Sequence, residues 1–433
     1  MTVARIESLE REGRGVAHVD GKAVFIDGAL PGEIVEFAPY RTKPSFDLAQ
    51  LVAIWSASAA RVSPRCPHFG VCGGCSQQHF DERAQVAAKQ RTLEDALWHI
   101  GRVKADMLLP PIHGPAWRYR HRARLSARMV EKKGGVLVGF RERRSTYVAD
   151  MHGCEVLPAH VSAAIPQLRE LIARLSVRDR VPQIEVAVGD STTVLVLRIL
   201  APLAPADEEP LRRFAQQSGM QIWLQPRGPD SAAPFWPLDA QPLYYSLPEH
   251  AVRIVFSPTD FTQVNPEVNR MLVRRAVGLL APVPGEHIAD FFCGLGNFSL
   301  PLARAGALVT GFEGSARMLA QAQRNAEANG LAVQCRFQTL DLFDRNACAQ
   351  LARFDKVLID PPREGAIELI KSFSGREPRR ILYVSCDPAT LARDAGVLVH
   401  TQGFSLAAAG IANMFPHTSH VESIALFERE ASL

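Results

Sequence analysis

His287–Gly330 reads HIADFFCGLGNFSLPLARAGALVTGFEGSARMLAQAQRNAEANG. An apolar strand meets a glycine turn, a helix follows, and a second strand closes on Glu313 before another helix. Strand and helix alternating at this spacing predict parallel strands covered by helices, a doubly wound α/β sheet. Gly294 and Gly296 fall where the first strand ends, so backbone can approach a ligand there. Glu313 ends the second strand, where a carboxylate can hold two ribose hydroxyls. The loop Asp290–Gly296 departs from the dinucleotide fingerprint: it has no third glycine and cradles no phosphate. Cys293 within it reads as packing.

The same pattern continues outward. The strand around VQCRF leads to Thr339–Leu340–Asp341, where an adenine edge is usually held. FDKVLIDPPREG ends at Asp360–Pro361–Pro362–Arg363. Then Ile381–Asp394, ILYVSCDPATLARD, is a buried strand, a tight turn and a helix. Asp387 is the expected N-cap and Pro388 the first helical residue. Cys386, in the turn, would see the positive end of the helix dipole, which favours thiolate and so a nucleophile. The alternative is a small buried hydrophobe at a strand end.

Length and composition bound the rest. A chain of 433 residues implies two to four domains, and 47% hydrophobic with 22% charged residues describes an ordinary globular protein. No apolar run is long enough to span a membrane. The first residues lack a signal peptide's layout, so a cytoplasmic location is expected. Eight cysteines in such a setting point to metal or catalysis rather than disulfides. The net charge of +4 is uneven: Trp117–Tyr147 carries ten Lys/Arg against two Glu. That segment suggests an anionic partner.

Residues 2–55 are short β-type runs cut by glycines, the pattern of a small OB-like barrel. Next comes RCPHFGVCGGCSQQHF, in which Cys66, Cys72 and Cys75 are spaced C-x5-C-x2-C. Three thiols in a glycine-rich loop indicate metal, and Cys154 in MHGCEVLP is the best fourth ligand. Zinc and a four-iron cluster both fit; His68 and His79 are candidate substitute ligands. Asp81–Arg102 has helical periodicity. In RYRHRARLSARMV, Arg118, Arg120, Arg122 and Arg124 alternate with Tyr119, His121, Ala123 and Leu125. This predicts a strand with one guanidinium-lined face for RNA; a solvated strand face is the alternative. Val161–His250 reads as helices and strands without catalytic signature.

Taken together, FTQVN (Phe261–Asn265), DFFCGLGNFSLPLA, FEG, DPPREG, SCDPATLARD, MFPHTSHVESIALF and the four cysteines resemble the RNA uracil-5-methyltransferase family over nearly the whole chain. The likeness is strongest to the bacterial 23S rRNA branch. It implies a TRAM barrel at 1–58, a central α/β domain at 59–254 carrying an iron–sulfur loop, and a Rossmann-like S-adenosylmethionine methyltransferase domain at 255–433. Residues 81–115 are able to pack on the catalytic domain. The resemblance assigns S-adenosylmethionine to Gln263, Phe292, Asn297, Glu313, Thr339 and Asp360. Thr339 stands where relatives carry Asn, and Asp341 is its alternative. The resemblance also implies a [4Fe-4S] cluster on Cys66, Cys72, Cys75 and Cys154.

The chemistry that the resemblance implies is methylation of uracil C5. A thiolate adds to C6 and makes C5 nucleophilic, and a base then removes the C5 proton. Cys386 is the expected nucleophile. Glu422 is the base by resemblance; read from the residues alone it is a strand-edge surface carboxylate. Asp360 can also hold the uracil edge. The expected partner is a single-stranded or loop segment of 23S rRNA, with no membrane and no obligate protein partner. The same reaction on tRNA or another 23S uridine is the alternative. A non-catalytic RNA-binding iron–sulfur protein that senses S-adenosylmethionine is a second, opposed by the presence of Cys386 and Glu422.

Overall fold

The structure, a computed structural model, describes residues 2–375 and 378–429. At the N-terminus lie β1 (Thr2–Arg5), β2 (Ser8–Leu9), β3 (Gly15–Val19), β4 (Lys22–Asp27), β5 (Ile34–Thr42) and β6 (Phe46–Ser56), ordered β1-β5-β6-β4-β3-β2. Alternation places Val24, Ile26, Val35 and Phe37 inside a small core with Ile6 and Ala17. Buried Glu33 accepts from Arg61 and from the backbone of Leu30, which ties this unit to the segment that follows.

Helix α1 (Glu82–Ala96) is capped by Asp81, whose side chain accepts from the backbone of Arg83 and Ala84, and ends in a π turn, Leu97–Gly101. Next is β7 (Met107–Leu108), which pairs parallel to a strand near the C-terminus. Leu93, Leu97, Val103 and Ala105 lie in the same core as Tyr383 and Leu391. Residues 82–108 therefore pack on the C-terminal sheet although the chain then leaves it.

The central sheet holds β8 (Arg122–Val130), β9 (Gly135–Gly139), β10 (Gln183–Val188), β11 (Thr193–Arg198), β12 (Gln221–Gln225) and β13 (Ala233–Trp236), ordered β13-β12-β11-β10-β8-β9. Two helices, α2 (Ala159–Arg174) and α3 (Pro205–Ser218), share its core. Val161, Ile165, Leu168 and Ile172 make the buried stripe of α2 at helical spacing. The hairpin β14 (Leu243–Leu247) and β15 (Val252–Phe256) joins a second core with Val194, Val196, Leu272 and Ile288. That shared core binds the central and C-terminal layers together.

The C-terminal layer runs α4 (Pro266–Leu280), β16 (His287–Phe291), α5 (Ser299–Arg304), β17 (Leu308–Glu313), α6 (Ala316–Ala328), β18 (Cys335–Thr339), α7 (Arg345–Cys348), β19 (Lys356–Ile359), α8 (Ile367–Lys371), β20 (Arg380–Ser385), α9 (Pro388–Gln402), β21 (Ser405–Ala412) and β22 (Glu422–Glu428). The sheet order is β18-β17-β16-β19-β20-β22-β21-β7. Strands β16 to β20 are parallel, and β22 enters antiparallel beside β20. The order reverses between β16 and β19, so a crevice opens at the carboxyl ends of these strands.

Gly101 closes the π turn against α9: a Cβ there would lie 2.4 Å from the carbonyl oxygen of Ala392. Backbone cannot yield as a side chain can. Gly101→Ala should therefore cost about 1–3 kcal/mol of stability, seen as a lower urea midpoint at unchanged slope.

Candidate active site

The crevice is a cavity of about 900 Å³. Gln263, Phe292, Asn297, Glu313, Thr339, Asp341, Asp360, Cys386 and Glu422 all line it. Each arrives from a strand end or the loop beyond it. The turn after β16 needs left-handed backbone at Phe292 (φ 63°), Gly294 (φ 55°) and Gly296 (φ 91°). A non-glycine held there is strained, a feature of residues over-determined by a site. Glu313 is preset by two backbone donors, Gly294 N at 3.3 Å and Ser315 N at 3.0 Å, which leaves lone pairs facing the cavity.

Asn297 behaves differently from a free ligand contact. Its amide exchanges hydrogen bonds with Asn269 at 2.9 and 3.1 Å and accepts from the Tyr245 hydroxyl at 2.9 Å. It braces the wall and keeps one N–H to spare. Thr339 and Asp341 are exposed on the cavity rim, and Asp341 also accepts from the backbone N–H of Phe343 at 3.0 Å. Phe292 and Phe343 approach as a tilted pair with centroids 5.6 Å apart and give the cavity an aromatic slot.

The second half of the cavity is acidic. Antiparallel pairing sets Ser385, the last residue of β20, opposite Ser423, so Glu422 at the start of β22 lies beside Cys386 in the turn that follows β20. Glu422 is buried at 4% exposure, which removes the surface-carboxylate reading. Burial, then the charge of Asp360, pushes its carboxyl well above the usual range. Burial also raises Asp290 and Asp360 to about 7.

The expectation of a thiolate-favouring turn at Cys386 is overturned. Burial first, then Glu422 and Asp360, pushes the thiol up to about 11, with Arg363 alone among the main influences opposing. The helix dipole does not rescue it because its donors are already filled. Asp387 Oδ1 accepts from Ala389 N at 2.9 Å and Thr390 N at 3.4 Å, so a carboxylate already answers the positive end of α9. Sequence placed the cap and the thiol correctly but could not weigh the three carboxylates gathered around them. Arg363 was visible in the DPPREG motif, and its contact with His420 Nδ1 (3.3 Å) was not.

The metal candidates sit elsewhere. Cys66, Cys72, Cys75 and Cys154 are all buried and free. Burial pushes Cys72 up to about 11 and Cys75 up to about 12, and the neighbouring thiols add to both shifts. Among the described residues no group of three or more His, Cys, Asp or Glu side chains is placed to hold a metal ion. His68 is engaged with the backbone N–H of His152 at 3.3 Å.

The arginine strand is corrected as well. Strand β8 starts only at Arg122, and Arg118 is left-handed (φ 59°), so the four guanidinium groups share no single face. Arg118 donates to the carbonyls of Cys154 and Leu157, and Arg122 donates to that of Asp260 at 2.8 Å. Arg124 pairs with Glu185 at 3.0 Å. These orphan carbonyls competed successfully for the donors. Arg120 lines a separate groove of about 500 Å³ with Arg14, Arg141, Arg143 and Arg144, which meets the main cavity at Phe415 and His420.

A doubly wound sheet with a ligand crevice at its switch point is the architecture of an S-adenosylmethionine-dependent methyltransferase. Residues 246–430 match the tRNA (uracil-5-)-methyltransferase family, and residues 3–37 match the TRAM domain. The chain is 61% identical to the 23S rRNA (uracil(1939)-C(5))-methyltransferase RlmD of Aromatoleum aromaticum, covering 99% of this chain and 100% of that protein. It is 60% identical to the RlmD of an Azoarcus species with the same coverage. It belongs to this RlmD family of RNA (uracil-5-)-methyltransferases. A tRNA (uracil-54, C5)-methyltransferase of Pyrococcus abyssi, solved with S-adenosyl-L-homocysteine, shares the fold: TM-score 0.76, 23% identity, 98% of this chain and 99% of that one.

The raised carboxyls make a pH prediction. Asp360 titrates at about 7 when folded and near ~3.9 when unfolded. The stability tied to its proton is present below the unfolded value and lost as pH climbs through about 7. Asp360→Asn should thus be more stable than the parent at pH ~8, by about 1–3 kcal/mol, and equal to it at pH ~4. Melting curves at both pH values decide; a gain independent of pH would sink the assignment.

Proposed function

We propose that this protein methylates C5 of a uridine in 23S rRNA, using S-adenosylmethionine. The observation that carries the reading is the pairing of Cys386 with a fully buried Glu422 at adjoining strand ends, inside the cavity lined by Glu313 and Phe292. On this reading the units are 1–58, 59–254 and 255–433. Relatives at 60–61% identity that bear the 23S rRNA name favour that RNA over tRNA.

Gln263, Phe292, Asn297, Glu313, Thr339 or Asp341, and Asp360 would hold the cofactor. Its carboxylate-preset ribose site and its aromatic slot fit a nucleoside. When bound, the cofactor supplies an electrophilic methyl on a sulfonium. Cys386 Sγ, which is not buried, gives up its proton to solvent and adds as thiolate to C6 of the uracil, whose C5–C6 π electrons move to the ring carbonyl. Neutral Asp360, near its raised pKa, can donate to that ring edge. C5 then takes the methyl. Glu422 in its carboxylate form, whose proton affinity burial raises, removes the C5 proton; the C5–C6 double bond re-forms and the thiolate leaves. A base extruded from its stack reaches this cavity, and Arg363 and His420 stand at its edge.

Cys66, Cys72, Cys75 and Cys154 would hold a [4Fe-4S] cluster, which supplies a cross-link between the Arg65–Phe80 loop and the loop at Cys154. No step of the reaction runs through it. Ser76 and Gln77, next to Cys75, donate their backbone N–H groups to the carbonyl of His417 at 2.9 Å each. Such a cross-link would steady the segment that leads into Glu422.

Labelled methyl transfer to separate 23S rRNA and tRNA transcripts, followed by nucleoside digestion, should place label in 5-methyluridine from 23S rRNA alone. Label from tRNA would overturn the substrate. Cys386→Ala should lower kcat by about 10³-fold or more, and Glu422→Gln should accumulate a protein–RNA adduct stable to denaturation. Absence of an adduct with either Glu422→Gln or 5-fluorouracil RNA would remove the covalent route. For the cluster, Cys75→Ser should abolish visible absorption together with iron and acid-labile sulfide in the purified protein. Retention of all three would remove that site.

A further inference from the structure

We propose that Arg11, at the tip of the β2–β3 turn of the N-terminal barrel, is a positioning residue for the nucleophile: it neutralises Asp387 beside Cys386. The inference rests on Cys386 as the nucleophile and adds a part of the site that no cavity-lining residue supplies.

The turn is rigid and seated. Glu10 N donates to Arg14 O at 2.9 Å and Gly13 N to Glu10 O at 2.8 Å. Gly13 is left-handed (φ 81°), and a Cβ there would lie 2.5 Å from Gln77 Nε2 and 3.4 Å from Ser419 Cβ. Only a glycine lets the tip enter between the cysteine loop and the segment after Met414. Once seated, the Arg11 guanidinium forms an ion pair with Asp387 Oδ2. The two oxygens of Asp387 are thereby divided: Oδ1 caps α9, and Oδ2 faces the barrel.

The charge balance around Cys386 gives this contact its meaning. Glu422 faces it from β22, Asp360 and Arg363 from the loop after β19, and Asp387 from its own turn. Three carboxyl groups and one guanidinium bear directly on the thiol. His420, also at the cavity edge, is lowered by burial and then by Arg363, with Arg11 among the further contributors, which places Arg11 electrostatically within this site. A thiolate next to Asp387 is tolerable when that carboxylate is paired and disfavoured when it is not. Docking of the barrel thus prepares the nucleophile as well as holding RNA.

The test is alkylation of Cys386 by iodoacetamide across pH in the full-length protein, followed by mass spectrometry. Cys386 is the one cysteine of the eight that is not buried. Arg11→Gln leaves Asp387 unpaired, so the profile should move to higher pH and the rate at neutral pH should fall about tenfold. Arg11→Lys should restore most of the rate. On an Asp387→Asn background, which keeps a capping oxygen, Arg11→Gln should change nothing further. Arg11 is exposed, and an unchanged melting curve checks that the variant folds. An unmoved profile in Arg11→Gln, including one accompanied only by weaker RNA binding with a shallower salt dependence, overturns the proposal. Failure of the nucleophile reading is separate: Cys386→Ser would retain methyl transfer while the alkylation profile still reports on the ion pair.

Discussion

One antiparallel strand pairing controls the chemistry. The parallel strands β16 to β20 aim every loop at one edge of the sheet, which is enough to build a nucleoside pocket. Strand β22 runs the other way, so it is its first residue, not its last, that reaches this edge. Because Ser423 pairs with Ser385, Glu422 meets Cys386 across a gap of 36 positions in sequence. A slip of one residue would turn the side chain of Glu422 to the opposite face of the sheet.

The cost of this arrangement is electrostatic. Glu422 and the half-buried Asp360 line the cavity and Asp290 is buried in β16, and desolvation holds all three above the ordinary carboxylate range. The same burial and the neighbouring carboxyls raise the Cys386 thiol, with Arg363 opposing them.

A second constraint is the segment Asn413–His420, which precedes β22 and is held from outside its own layer. Lys89 of α1 donates to Asn413 Oδ1 at 2.7 Å and to Phe415 O at 2.8 Å. Gln85 accepts from His417 N at 2.8 Å, Tyr119 donates to Pro416 O at 2.9 Å, and Trp117 stacks on the His417 ring at 3.9 Å. The cysteine loop adds two backbone donors. Burial lowers Lys89 to about 7, so these acceptors do much of the work of keeping an amine in the interior. Glu422 is thus positioned by α1, the Trp117–Tyr119 segment and the cysteine loop.

Much of this was legible in the residues. Apolar runs, glycine turns and caps marked β16 through α9, because those signals act over a few residues and need no distant partner. Glu313, the Cys386 turn and the four cysteines were identifiable for the same reason. The arginines were misjudged because alternation says where side chains of a strand point, not where the strand begins or which carbonyls lie nearby. Glu422 was assigned only by resemblance and read from the residues alone as a surface carboxylate, since burial is a property of neighbours. Sequence by itself determined the strand–helix order, the turn that presents the thiol and the set of groups able to do the chemistry. Only the tertiary structure decided which charges stand next to which, because the distances between groups far apart in the chain are set by strand register and by docking of one layer on another, and pKa depends on those distances.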